Sequence, residues 1–126
     1  MAYKVLVVED DAFLGGAYRV KLTNEGFEVE IATDGEEALV KLRTFTPDAI
    51  LMDIIMPRKD GFATLEDIKK TDSLKNIPVI MATNLGQPGD VEKAKALGAY
   101  DLITKSNMSL SDLVAKLKSV IESHQK

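Results

Sequence analysis

An open α/β sheet of parallel strands is the fold class that this 126-residue sequence predicts. Short apolar runs recur at residues 5–8, 49–52, 79–82 and 102–103. Stretches with helical spacing lie between them, the pattern of buried parallel strands joined by crossovers. Each run ends in polar or charged residues: Glu9-Asp10-Asp11, Asp53, Thr83, and Thr104-Lys105. The carboxyl ends of parallel strands share one edge of an open sheet, and ligands bind there.

The elements follow in order. After the first strand, Asp11 is placed to cap a helix running to about residue 24, with Gly26 as its stop. Leu14, Ala17, Tyr18 and Leu22 give that helix an apolar face, while Gly15 and Gly16 cost it about 2 kcal/mol together. The glycine pair is explained by close packing or simple tolerance, or by the near approach of a partner's helix. Residues 27–32 read as the second strand. Asp34-Gly35-Glu36-Glu37 opens a second helix, with Ala38, Leu39, Leu42 and Phe45 inward. Pro47 ends it ahead of the strand that closes on Asp53. A loop over 56–61 leads to a helix with Phe62, Leu65 and Ile68 inward, and Asp60-Gly61 is its turn and cap. Pro78 opens the fourth strand. Gln87-Pro88-Gly89-Asp90 starts a helix over 91–97 that is thin in large apolar residues, and Gly98 stops it. Ser109 and Asp112 form a capping box for the last helix, where Leu110, Leu113, Val114, Leu117 and Ile121 recur at helical spacing. His124 falls in the tail and is expected to be solvated.

The totals narrow the function. The length suits one domain over residues 1–126, with nothing left over for an output domain. A net charge of −4 argues against direct nucleic-acid binding, which rests on basic patches. Cysteine is absent, so there is neither a disulfide frame nor a thiolate metal site. No apolar run approaches the roughly 20 residues needed to cross a bilayer, and residues 1–4 leave no room for a signal peptide. A cytoplasmic domain with no membrane contact is therefore expected. If the sheet forms, carboxylates, a hydroxyl and a lysine from distant segments meet in one cleft. That set suits a magnesium ion and a phosphoryl group.

Taken together these residues resemble the receiver domain of bacterial two-component response regulators. The resemblance rests on residues 7–11, on Leu51-Met52-Asp53-Ile54-Ile55-Met56-Pro57 with Asp60-Gly61, on residues 78–83, and on residues 98–105. It covers essentially the whole chain. It implies a doubly wound (βα)5, flavodoxin-like domain with a five-stranded parallel sheet of order 2-1-3-4-5. It further implies that Asp53 accepts a phosphoryl group from a sensor histidine kinase or phosphotransfer protein, and that a downstream protein target reads the change. By the same resemblance Asp10 and Asp53 bind Mg2+ directly, Glu9 acts through a water, and the backbone carbonyl of Ile55 supplies a further ligand. Thr83 and Lys105 are implied to contact the phosphoryl group. Three clustered carboxylates repel one another, and a cation resolves this. The expected behaviour is self-phosphorylation and self-dephosphorylation rather than turnover of an external substrate.

Three positions depart from the usual receiver pattern. Leu102 stands where many receivers carry an aromatic switch residue, with Tyr100 two places away. Ser106 follows the lysine in place of a cis-proline, so Lys105-Ser106 is expected to be trans. Asn84 replaces the small residue after the threonine. Apolar Ile55 and Leu85 at the water-access positions predict a long-lived phosphorylated state. A pseudo-receiver that binds partners without phosphorylation is the alternative reading. An enzyme on the same layered fold is the other competitor. The flavin-carrier and nucleotide versions are disfavoured by Glu9-Asp10-Asp11 where a phosphate loop belongs and by the lack of a G-x-x-x-x-G-K-[ST] loop.

Overall fold

The computed structural model describes residues 2–84 and 87–124. Strands and helices alternate as β1 (Lys4–Val8), α1 (Ala12–Asn24), β2 (Glu28–Ala32), α2 (Gly35–Lys41), β3 (Ala49–Asp53), α3 (Gly61–Lys70), β4 (Val79–Thr83), α4 (Asp90–Ala96), β5 (Asp101–Thr104) and α5 (Leu110–His124). The five strands form one parallel sheet in the order β2-β1-β3-β4-β5. This is the doubly wound, flavodoxin-like arrangement the sequence predicts, with β3 at the centre.

Alternation along the strands builds a core on each face of the sheet. Leu6, Val8, Ile50, Met52, Val79 and Met81 pack with Ala38, Leu65, Ile68 and Ala94 beneath α2, α3 and α4. Val5, Val7, Leu51 and Ile80 pack with Tyr18, Leu22, Leu117 and Ile121 beneath α1 and α5. β3 and β4 are covered on both sides, which is why their sequences are unbroken apolar runs. β5 is an edge strand, half-buried throughout, and Asp101 on it is paired with Lys116. A charge on an edge strand discourages pairing with another chain.

The helix starts are set by side-chain caps. Asp11 accepts from the amides of Phe13 and Leu14, Asp34 from that of Glu37, and Asp60 from that of Ala63. Ser109 and Asp112 exchange bonds as a capping box, the amide of Asp112 donating to Ser109 Oγ at 3.0 Å. Each cap of this kind is worth about 1 kcal/mol.

Several boundaries differ from the sequence expectation. β2 starts at Glu28, because Phe27 instead donates its amide to Leu22 O in the turn that ends α1. β5 starts at Asp101, one residue ahead of the apolar run, and ends at Thr104, with Lys105 opening a short 3₁₀ turn (Lys105–Asn107). Leu110, though on the helical repeat of α5, is exposed, whereas Val120 is buried. His124 is exposed but is the last residue of α5, with its ring edge-on to Tyr100 at 6.5 Å. Tyr100 is 47% exposed, a surface tyrosine. There is no cis peptide among the described residues, so Lys105-Ser106 is trans. Neither glycine of α1 is forced by close approach: a Cβ on Gly15 would meet Ile31 at 3.7 Å, an ordinary contact, and one on Gly16 would meet nothing within 4 Å.

Candidate functional site

Parallel pairing in register brings the strand ends level. Val8 lies opposite Met52, Asp53 opposite Ala82, and Thr83 opposite Thr104, so the next residues of β1 and β5 reach the same edge. A cavity of about 340 Å³ opens there, lined by Glu9, Asp10, Asp53, Ile55, Thr83 and Lys105, with Asp11, Leu14 and Asn84 at its margins. All six residues singled out as site candidates are thus brought together.

Lys105 holds the acidic groups. Its ammonium donates to Glu9 Oε1 at 2.5 Å and to Asp53 Oδ2 at 3.0 Å, and its side chain is only 7% exposed. Burial pulls its pKa down, but the two carboxylate bonds outweigh burial and hold it above the ordinary lysine value. Glu9 is 3% exposed, and its other oxygen accepts from the Asp11 amide at 3.2 Å. Burial nevertheless dominates for Glu9 and raises its carboxyl above the usual value, with Lys105 and the Asp11 amide opposing. Asp10 is exposed at the mouth, whereas Thr83 is buried at the end of β4.

Glu9, Asp10 and Asp53 each place a carboxylate oxygen such that all three lie within 4.8 Å of one another. One ammonium against three carboxylates leaves two negative charges, which a single divalent cation balances. The donors are all hard oxygens, and one of them is on an exposed side chain. That set fits magnesium, which takes one or two carboxylates and keeps several waters.

The β3–α3 loop is held by features that sequence reasoning did not assign. Gly61 donates its amide to Ile54 O at 2.7 Å, and a Cβ on it would come within 2.2 Å of the Asp53 carbonyl oxygen and 2.8 Å of Met81 Cε. Only glycine lets α3 start so close to the end of β3. Arg58 has a left-handed backbone (φ 63°), and its guanidinium is bonded to the buried carboxylate of Asp34. The glycine after an aspartate cap was a visible signal. The 24-residue separation of Asp34 and Arg58 left none.

Leu102 packs against the core beneath α2, α3 and α4, and Ser106 is exposed in the 3₁₀ turn. Ile55 is 71% exposed beside the acidic cavity, while Leu85 lies outside the described residues.

An acidic cleft at the carboxyl edge of a 2-1-3-4-5 sheet, closed by one lysine, defines a receiver-type signalling domain. Residues 5–118 match the response regulator receiver domain, and the chain belongs to that family. It is 37% identical over 121 residues to the probable transcriptional regulator ycf29 of Porphyra purpurea, covering 96% of this chain and 57% of that protein. It is 37% identical over 123 residues to the chemotaxis protein CheY of Treponema pallidum (strain Nichols), covering 95% of this chain and 83% of that one. The chain spans about half the length of the transcriptional regulators it matches. Among solved structures, the receiver domain of sensor histidine kinase PA1611 from Pseudomonas aeruginosa superposes with a TM-score of 0.86 at 26% identity, covering 97% of this chain and 99% of that one. That structure has a magnesium ion coordinated in its active site cleft. No helix among the described residues is long and apolar enough to cross a membrane.

Proposed function

We propose that this domain accepts a phosphoryl group on Asp53, with magnesium as cofactor, from the phosphohistidine of a sensor histidine kinase or phosphotransfer protein. The observation that carries the reading is the buried ammonium of Lys105 bonded to both Asp53 and Glu9 within a three-carboxylate cluster.

A carboxylate is a poor nucleophile toward an anionic phosphoryl group, so catalysis rests on positioning and charge neutralisation. In the proposed step a carboxylate oxygen of Asp53 forms a bond to phosphorus. The phosphorus–nitrogen bond of the donor breaks, and its electron pair stays with the departing imidazole. Lys105 already holds Asp53 Oδ2 at 3.0 Å and can transfer its hydrogen bond to a phosphoryl oxygen. The Thr83 hydroxyl is the second protein donor proposed for that oxygen. When bound, magnesium neutralises charge on the carboxylates and the incoming phosphoryl oxygens. Asp10, Asp53 and the Ile55 carbonyl would hold it, with Glu9 acting through water. Glu9 suits the water-mediated place because both of its oxygens already accept protein hydrogen bonds.

Phosphorylation on this reading alters binding to a downstream protein, and no external substrate is turned over. Such an effect requires two states of the domain with different partner affinity. The test is incubation with magnesium and a small phosphodonor, followed by intact-mass measurement. A single phosphoryl adduct is expected, prevented when a chelator is added before the donor and absent in Asp53→Asn. No adduct in the unmodified protein would leave it as a phosphorylation-independent interaction module, and continuous phosphate release without adduct would make it an enzyme.

A further inference from the structure

We infer that Arg58 is a positioning residue for the magnesium site: through Asp34 it fixes the loop that carries the Ile55 carbonyl. The inference rests on the reading above, in which that carbonyl is a metal ligand.

Arg58 is the one residue other than glycine with positive φ among the described residues. A side chain with a Cβ avoids this conformation, and it persists only where surrounding contacts fix it. The contact here is specific. Arg58 Nε donates to Asp34 Oδ2 at 2.7 Å, and a terminal guanidinium nitrogen bonds the same oxygen. Asp34 is completely buried, and its other oxygen accepts from the Glu37 amide, so it is rigidly tied to the start of α2. The guanidinium itself is largely exposed, its side chain at 70%.

Two further contacts dock the same loop onto α2. The Gly35 amide donates to Lys59 O at 3.2 Å, and Lys59 pairs with Glu36 at 3.9 Å. A Cβ on Gly35 would meet Thr64 Oγ1 and Lys59 O at 1.9 Å and 2.9 Å, so the two segments are in direct contact. On the other side of Ile55, Ile54 is fixed by its amide to Ala82 O and by its carbonyl to the Gly61 amide. Ile55 itself is exposed and bridges these two anchors. Removing the Arg58 anchor leaves that end of the bridge held by the Lys59 contacts alone, and a ligand with a weakened support binds its metal more weakly.

The experiment is a magnesium titration of the intact chain by calorimetry and by amide shifts in nitrogen-15 NMR, with thermal melts alongside. Arg58→Ala and Arg58→Gly are compared with the unmodified protein and with Asp10→Asn. Arg58→Gly keeps the left-handed backbone without strain while removing the side chain that carries the guanidinium. Both variants are expected to bind magnesium about tenfold more weakly, the lower end of the cost of losing a supporting residue. Asp34→Asn should give a similar loss, and the double variant Arg58→Gly with Asp34→Asn should lose no more than either alone. With a small phosphodonor, the magnesium concentration for half-maximal phosphorylation rises while the rate at saturating magnesium is retained. A shift under about threefold in Arg58→Gly overturns the proposal, including when its melting temperature falls, because the pair is then structural only. Absence of saturable binding in the unmodified protein, or binding unaffected by Asp10→Asn, overturns the metal-site reading itself, and this inference with it.

Discussion

Gly61 shows how a residue with no chemistry of its own governs the placement of one that has it. Its missing side chain leaves room for the Asp53 carbonyl oxygen, and its amide closes the loop onto Ile54. In Gly61→Ala the new methyl would need space that backbone atoms already occupy, so β3 and α3 must move apart. Overpacking of this kind costs roughly 1–3 kcal/mol. Urea denaturation should show that loss, together with a lowered rate of Asp53 phosphorylation. A variant as stable and as reactive as the parent would mean that the loop yields without disturbing the acceptor. Lys105 is the complementary case. Two carboxylate bonds hold its buried side chain at the start of the 3₁₀ turn.

At the scale of elements, Asp34 joins α2 to the β3–α3 loop, and its titration exposes the link. The Glu37 amide is the largest influence on its carboxyl and lowers its pKa; burial opposes, and Arg58 adds to the lowering. A group whose folded pKa is depressed lends stability above its unfolded value of about 3.8, and loses it as pH falls through the lower folded value. Glu9 has the opposite sign, since its raised pKa makes it cost stability as pH climbs above 4.5. Asp34→Asn should therefore flatten the acid limb of a stability–pH curve below pH 3.8 while leaving the Glu9 contribution above 4.5 in place. An unchanged acid limb would show that Asp34 is protonated equally in both states.

Elements were the part of the molecule most legible in the sequence. Asp11, Asp34, Asp60 and Ser109 announced four helix starts because a cap acts on amides two or three residues away. The strand ends announced the cleft because register alone carries Asp53 and Thr83 to one edge. Leu110 shows what periodicity misses: it keeps the repeat of α5 but, as the first residue of the helix, is exposed. Arg58 shows what local reading misses, since its partner sits on another loop and its left-handed backbone follows from that partner. The Lys105 turn was illegible for the same reason: a carboxylate just past β1 and one at the end of β3 hold the lysine.

For the whole molecule, magnesium is expected to act as a stabiliser. The cluster carries two uncompensated negative charges at a site that exists only when β1 and β3 are assembled. A ligand that binds only the folded chain, at one hundred times its dissociation constant, adds about 2.7 kcal/mol. Thermal melts should thus rise with magnesium and fall back on chelation, and Asp10→Asn should abolish the response. A rise that survives Asp10→Asn would assign the effect to general screening. The same melts bear on α4, which buries only Ala94 and lays Lys93 over the Phe62 ring at 4.6 Å. So little apolar anchorage makes α4 and the neighbouring β5 the region that a change in the cleft can displace at least cost.

The Lys105–Glu9 bond joins positions 96 residues apart, from the first strand to just past the last. Synthesis therefore finishes the pocket late: a growing polypeptide holds its carboxylates without their cationic latch until the ribosome has passed residue 105. On the proposed function, a chain that stops short of residue 105 carries the acceptor aspartate without the ammonium that holds it.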